Sequence, residues 1–150
     1  MFNSALILPI PRSGARAGFT LIELLIVMVV AAILAAIAIP AYTDSVQKAR
    51  RGQAKADMVE VVQAMERCFT NRTTYLACFP LNALPAPLAA SPGGSTGTSR
   101  FYGLALADVT AADYSVVATP VNSQANDLCM ELTMRQNGLR ETSSTRTDCW

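Results

Sequence analysis

Few residues of this chain could support catalysis, and their spacing does not form a catalytic site. The segment Gly93–Gly97 reads GGSTG and formally matches the nucleophile-elbow pattern G-x-S-x-G. That motif needs a strand before it, a helix after it and a histidine partner, but the 150-residue sequence contains no histidine. The same lack removes the imidazole ligand of metal sites and the usual base of serine and cysteine nucleophiles. We therefore expect no enzyme activity, no metal site and no cofactor.

The cysteines indicate disulfide bonds instead. They are even in number, they contain no C-x-x-C pair that would suggest a metal site, and all follow the apolar segment described next: Cys68, Cys78, Cys129 and Cys149. An even set on the outer side of a membrane helix is typical of an oxidising compartment. Four cysteines allow three pairings, and all three are open at this point.

A long apolar segment near the N-terminus dominates the sequence. Leu24–Ile39 contains 16 apolar residues without a break, and the residues from Phe19 onwards extend the segment to about 20. That length is needed for a helix to cross a hydrocarbon core of about 30 Å. A secretory signal peptide would have a shorter apolar region and no acid. A core helix that is apolar on all sides would need more surrounding protein than this chain has. The segment therefore predicts a membrane-spanning helix.

Glu23 is the one acid in this segment. A carboxylate within a membrane helix costs a few kcal/mol and is kept where it has a partner or a role. Alternatively, it lies at the membrane interface and complements the helix dipole near the helix start. The positive-inside rule leaves the orientation in conflict, because more basic residues follow the segment than precede it: Arg12 and Arg16 come before, and Lys48, Arg50, Arg51 and Lys55 come after.

Pro40 ends the uniformly apolar run, and it should kink or loosen the helix because it lacks a backbone donor. Helical character resumes up to Phe69, with apolar residues at spacings near three and four that predict one buried stripe: Val46, Ala49, Ala56, Val59, Val62, Met65 and Phe69. Basic residues occupy another face, which we expect to be solvated or to face a neighbouring subunit: Lys48, Arg51 and Lys55. A helix from Phe19 to about Phe69 would be roughly 75 Å long. Its front half must therefore project into a bilayer or into a bundle of copies.

The rest of the chain predicts a small sheet. Residues 80–99 hold four prolines and three glycines, which suggests an exposed functional or mobile loop. Strand patterns follow in four segments: Phe101–Ala107, Tyr114–Thr119, Leu128–Met134 and Leu139–Thr142. The dipeptide Asn137-Gly138 predicts a hairpin turn between the last two. We therefore expect an α+β domain in which a three- or four-stranded antiparallel sheet packs on the Val59–Met65 stripe of the helix.

The N-terminus resembles that of a type IV prepilin. It combines a basic leader that ends in glycine, phenylalanine as the next residue, glutamate as the fifth residue after the cut and proline as the twenty-second: Gly18, Phe19, Glu23 and Pro40. The resemblance implies that a membrane-embedded prepilin peptidase cuts after Gly18 and methylates the amine of Phe19. It divides the chain into a cleaved leader (1–18), a transmembrane and filament-core helix (19–40) and a pilin globular domain that includes the second half of the helix (41–150).

The resemblance also implies how such a subunit assembles. Before assembly it would reside in the inner membrane as a single-pass protein with its globular domain in the periplasm. Inner-membrane assembly machinery would then incorporate it into an extracellular pilus. Glu23 would pair with the amine of Phe19 on a neighbouring pilin subunit. Pro40, together with small residues before it, would let part of the helix unwind on packing: Ala31, Ala32, Ala35, Ala36 and Ala38.

Further residues resemble PilE-type minor pilins of Gram-negative type IV pili. They include the segment KARRGQAKADMVEVVQAMERCF, Tyr75, the Phe101-Tyr102 pair and a Cys149-Trp150 end. In this context we expect the local disulfide pairing, Cys68–Cys78 and Cys129–Cys149, because the second bridge closes a terminal loop of the kind that pilins use. The implied function is a structural, minor subunit of a type IV pilus that serves twitching motility, adhesion or DNA uptake.

Three alternatives remain. A pseudopilin of a type II secretion system shares this N-terminus, but major pseudopilins commonly have a calcium-binding loop near the C-terminus and lack disulfides, whereas the tail TSSTRTDCW has one acid and a cysteine. A stand-alone membrane-anchored protein leaves Glu23 unexplained. Nucleic-acid binding is a third reading, but the chain has a net charge of only +1 and its helical basic residues lack interleaved aromatics: Lys48, Arg50, Arg51, Lys55 and Arg67.

Overall fold

The computed structural model describes residues 18–150. Residues 1–17, which form almost all of the expected leader and include Arg12 and Arg16, lie outside the described part of the chain. The chain divides into two compact units, and the boundary falls between Pro40 and Ala41.

A long α-helix, α1, runs from Leu21 to Arg72 and contains Pro40. It ends where Thr73 takes a left-handed conformation, with φ of 57°, and the Thr73 N–H donates to the Phe69 carbonyl at 2.7 Å. This is a left-handed C-terminal cap, which satisfies a carbonyl of the last turn. The helix therefore extends three residues beyond the end that the apolar spacing predicts.

After the helix the chain forms five strands: β1 (Ala90–Ser91), β2 (Tyr102–Ala107), β3 (Ser115–Pro120), β4 (Leu132–Arg135) and β5 (Arg140–Thr142). They make one antiparallel sheet in the order β1-β2-β3-β4-β5. The α+β architecture is confirmed, with one strand more than predicted. The additional strand is β1, which lies inside the Pro/Gly-rich segment 80–99. It pairs Ala90 with Gly103 and Ser91 with Tyr102.

Strand β4 is shorter than the predicted Leu128–Met134 strand. A turn occupies the first part of that segment: the Met130 N–H donates to the Asp127 carbonyl at 3.0 Å, and Met130 has a φ of 55°. The alternation of apolar and polar residues continues through this turn, which is why the sequence pattern does not reveal it. Leu128 and Met130 are exposed, whereas Cys129 between them is buried.

The core lies between one face of α1 and one face of the sheet. The helix contributes Ala54, Met58, Val61 and Met65, and the sheet contributes Tyr102, Leu104, Val116, Ala118 and Leu132. The predicted stripe was right at Met65, which is fully buried, and Val62 and Phe69 pack against the core, but it was wrong at Val59, which is 39% exposed. Met58 and Val61, which the stripe left out, are fully buried. All of these positions have helical spacing, and only the sheet determines which of them is covered.

The unit of residues 41–150 contains two disulfides. Cys68 in the last turns of α1 bonds to Cys78, with 5.7 Å between the Cα atoms. Cys129, in the connection between β3 and β4, bonds to Cys149 with 5.6 Å between the Cα atoms. The local pairing is the one present in the structure.

Candidate functional site

The start of α1 presents the residues that the sequence singled out for processing. Gly18 and Phe19 precede the helix and are exposed, and Glu23 lies in its first turn. The Glu23 N–H donates to the Thr20 hydroxyl at 3.3 Å, so Thr20 is the N-cap of the helix. This role was not predicted from the sequence, although Thr20-x-x-Glu23 has the spacing of a capping box.

The apolar residues that follow are exposed in the single chain. From Leu21 to Ile39 every large apolar side chain is at least half exposed, and the most apolar window of the helix has a mean hydropathy of 3.0. By length and composition this helix could cross a membrane. An apolar surface of this extent marks a lipid or protein contact.

A buried ion pair joins α1 to the turn before β4. The Arg51 guanidinium donates to both carboxylate oxygens of Asp127, from Nε at 3.1 Å and from Nη2 at 2.5 Å. The Asp127 carboxylate also accepts hydrogen bonds from the Tyr102 hydroxyl, from the Gln124 amide at 3.2 Å and from the Cys129 N–H at 3.1 Å. Arg51 is 6% and Asp127 is 3% exposed. The prediction that Arg51 lies on a solvated or subunit-facing surface was therefore wrong, because it is buried within its own chain.

The pKa values of this network follow from burial and from its hydrogen bonds. Burial acts to raise the pKa of Asp127, but the bonds from Arg51 and Tyr102 outweigh it, and the net pKa lies below the ordinary value. The Asp127 carboxylate raises the pKa of Arg51 in turn. Burial, and then the hydrogen bond to Asp127, raises the pKa of the Tyr102 hydroxyl. Both members of the ion pair are therefore charged throughout the physiological pH range.

The other basic residues of α1 fall into different environments. Lys48 forms an exposed ion pair with Asp44 at 2.8 Å. The Arg50 guanidinium lies 4.1 Å from the centroid of the Phe101 ring and donates to the Ser123 hydroxyl at 3.0 Å. Arg50 also lines a cleft of about 290 Å³ on the unit of residues 41–150, together with Tyr42, Thr43, Val46, Gln47 and Ser123.

Lys55 shares one aromatic ring with a basic residue of β5. Its ammonium lies 5.3 Å from the centroid of the Trp150 ring, and the Arg140 guanidinium lies 5.7 Å from the same centroid. No aromatic residues are interleaved with these cations along the sequence of α1. The fold supplies them from distant positions, Phe101 and Trp150.

The chain has a long N-terminal helix that is apolar at its start and packs further on against an antiparallel sheet. A disulfide closes the C-terminal loop. Together these features define a type IV pilin. Within that class the chain belongs to the family described as "Type IV minor pilin ComP, DNA uptake sequence receptor", which matches residues 40–133, more than half of the chain. The prokaryotic N-terminal methylation motif matches residues 14–39. These matches favour a pilin over the pseudopilin alternative.

Individual proteins to which the chain is similar are also type IV pilins. The chain is 39% identical over 65 residues to the type IV major alpha-pilin of Moraxella bovis, a match that covers 43% of this chain and 41% of that pilin. The fold is similar to that of a type IV pilin from Shewanella oneidensis, with a TM-score of 0.50, 22% identity and coverage of 69% of this chain and 97% of that one. It is also similar to the non-core minor pilin PilV of Neisseria meningitidis, with a TM-score of 0.52, 15% identity and coverage of 70% and 94%.

Proposed function

We propose that this pilin is cleaved after Gly18, methylated on the amine of Phe19 and assembled as a minor subunit into a helical type IV pilus. Before assembly it spans the inner membrane once, with the globular domain in the periplasm. The observation that carries this proposal is the exposed apolar start of α1, in which Glu23 is the only charged side chain between Gly18 and Asp44.

Glu23 would determine the axial register of the filament. When the apolar helices of neighbouring copies pack together, its carboxylate is removed from water and needs a positive partner. The methylated amine of Phe19 on a neighbouring copy meets that need. A buried ion pair compensates for desolvation only where the geometry is good, and removal of one partner costs about 3–5 kcal/mol. Wrong registers leave both charges unpaired and are thereby excluded.

The variant Glu23→Ala tests this role. We expect it to be cleaved after Gly18 like the wild type but to be strongly depleted from fibres sheared off the cell surface. Glu23→Asp, which keeps the charge, is the matched control and should be incorporated better than Glu23→Ala. Wild-type amounts of Glu23→Ala in sheared fibres would contradict the proposal.

We further propose that the role of this minor pilin is DNA uptake, rather than twitching motility or adhesion. The support is the family description, which names a DNA uptake sequence receptor. A strain without this chain should make pili and twitch normally but lose natural transformation, and the wild-type gene should restore it. Normal transformation in that strain, or loss of twitching together with transformation, would contradict a dedicated uptake role.

A further inference from the structure

A segment without charged residues connects α1 to β2. It spans residues 73–99, which are 27 residues between Arg72 and Arg100. Most of the Pro/Gly-rich loop predicted from the sequence to be exposed and functional or mobile lies in this segment, and the fold gives that loop no function. Its Leu81 side chain is 100% exposed. Within residues 18–150 no other large apolar side chain is as exposed, including those of the membrane-spanning segment.

Leu81 also has a backbone conformation that leucine rarely adopts. Its φ is 54° and its ψ is 23°, and the next residue, Asn82, has a φ of 55°. The Ala83 N–H donates to the Pro80 carbonyl at 3.0 Å, which closes a four-residue turn that we call the Leu81 turn (residues 80–83). Glycine, asparagine and aspartate dominate turns with positive φ at both central residues, and leucine is strained there. Backbone strain of this kind clusters at functional contacts.

The chain fixes the Leu81 turn from both sides. Before it, Cys78 is bonded to Cys68 of α1, and Phe79 packs against the core. After it, Leu84 also packs against the core. Leu81 therefore projects into solvent from a fixed position. Such pre-organisation lowers the entropic cost of binding.

The cleft of about 290 Å³ lies at the start of the same unit of residues 41–150. Residues 42–50 of α1 form most of its wall, and Ser123 completes it. The Arg50 guanidinium already contacts the Phe101 ring and the Ser123 hydroxyl, so an aliphatic side chain that enters the cleft would leave this charge with its partners. The Leu81 turn is connected to α1 through Cys68, about 27 Å further along the helix at 1.5 Å per residue.

We propose that Leu81 of one subunit inserts into this cleft of a second copy of the chain. The inference rests on the proposed assembly into a pilus and adds a contact between globular units. The Leu81 turn and the cleft are different surfaces of one unit, so the contact is heterologous. Heterologous contacts that do not close give open helical filaments. The subunit should therefore enter the fibre with copies of itself as neighbours.

Two observations favour a second copy as the occupant. The wall of the cleft begins at Tyr42, two residues after Pro40, where the uniformly apolar segment ends. A neighbour whose apolar segment packs beside this one therefore has its own globular unit close to the cleft. In addition, residues 73–99 carry no charge, so this segment of one copy can approach an identical copy without like-charge repulsion.

Photocrosslinking in the fibre tests the contact directly. The variant Leu81→p-benzoylphenylalanine is expressed beside the wild-type chain, sheared fibres are irradiated, and linked peptides are identified by mass spectrometry. We expect a product of twice the subunit mass in which position 81 is joined to residues 42–50 or to Ser123 of a second copy. The control is Leu139→p-benzoylphenylalanine, which carries the same group at an exposed leucine between β4 and β5. It should not link to those residues.

The variant Leu81→Asn separates this contact from a role in the fold. Asparagine is favoured in a turn of this kind, so the variant should melt no lower than the wild type in thermal unfolding of the full chain in detergent micelles. Burial of one leucine side chain strengthens a contact by about ten- to a hundredfold. Leu81→Asn should therefore be depleted from sheared fibres, whereas Leu139→Asn should be incorporated like the wild type.

The outcomes distinguish this contact from assembly itself. If the wild type is absent from fibres, the proposed assembly fails and the Leu81 contact fails with it. If the wild type is present but position 81 links to a different protein, or to other residues of a second copy, the contact alone is refuted. Wild-type incorporation of Leu81→Asn would also refute it. A lower melting temperature of Leu81→Asn would refute it as well, because the leucine would then serve the fold.

Discussion

The Arg51 guanidinium and the Asp127 carboxylate form a buried, two-point ion pair between α1 and the turn that precedes β4. The residues are 76 positions apart in the sequence. Asp127 also orients the Tyr102 hydroxyl of β2, so one carboxylate connects the helix, the sheet and the turn next to the Cys129–Cys149 disulfide.

Loss of this carboxylate should strongly destabilise the unit of residues 41–150. Asp127→Ala leaves the Arg51 charge buried without a partner, and we expect the free energy of unfolding to fall by about 3–5 kcal/mol. The double variant Arg51→Met/Asp127→Leu, which replaces both charges by apolar groups, should lose less than the single variant. Denaturant unfolding of the three proteins checks this. A double variant less stable than Asp127→Ala would contradict the account.

The same carboxylate predicts how stability depends on pH. Its folded pKa lies below the ordinary value, so the folded state binds its proton less readily than the unfolded state. The resulting stabilisation is fully present above the unfolded pKa of about 3.9 and is lost as the pH falls through the lower folded pKa. Denaturant unfolding across pH 2 to 6 should show this loss in the wild type, and Asp127→Asn should lack that component. Equal acid dependence in both proteins would contradict it.

Processing should depend on Gly18 without any effect on the fold. A Cβ added at Gly18 would meet no atom within 4 Å, so the described chain can accommodate a side chain there. Gly18→Glu should therefore reach the membrane but remain uncut, because the requirement for glycine at this position comes from the peptidase that the methylation motif implies. Mass spectrometry distinguishes the uncut chain from the mature one. Recovery of a chain that begins with methylated Phe19 from this variant would contradict the prediction.

The disulfides can be checked in the purified protein. Non-reducing peptide mapping should recover Cys68–Cys78 and Cys129–Cys149 as separate linked pairs. Removal of the second bridge by Cys129→Ser/Cys149→Ser should lower the free energy of unfolding by about 3 kcal/mol, on loop-closure arguments. It should also release the support of the Trp150 ring. A peptide that links Cys68 to Cys149 would contradict this topology.

Local signals predicted most of the fold correctly. The helix, the strands that became β2 and β3 and the final hairpin are recognisable because their periodicity and turn residues act over short ranges. β1 was missed because it has only two residues, Ala90 and Ser91, within a Pro/Gly-rich segment. Its backbone pairing with Gly103 and Tyr102 of β2 makes this segment a strand. The local sequence does not indicate that pairing.

The contacts of the basic residues of α1 were harder to predict, because they join residues that are far apart in the sequence. The sequence places Arg51 and Lys55 on one basic helical face, one turn apart. The structure buries Arg51 against Asp127 and leaves Lys55 beside Trp150. No helical pattern distinguishes these environments, since the sheet and the C-terminal segment create both of them. The N-terminal residues Gly18, Phe19 and Glu23 differ, because the role proposed for them depends on a local motif.

The most direct measurement is mass spectrometry of fibres sheared from the cell surface, compared with the membrane fraction of the same cells. The account predicts a chain in the fibres that begins with N-methylated Phe19 and keeps both disulfides, alongside a membrane pool of the same subunit that awaits assembly. An uncut chain that stays in the membrane fraction and never occurs in sheared fibres would contradict it.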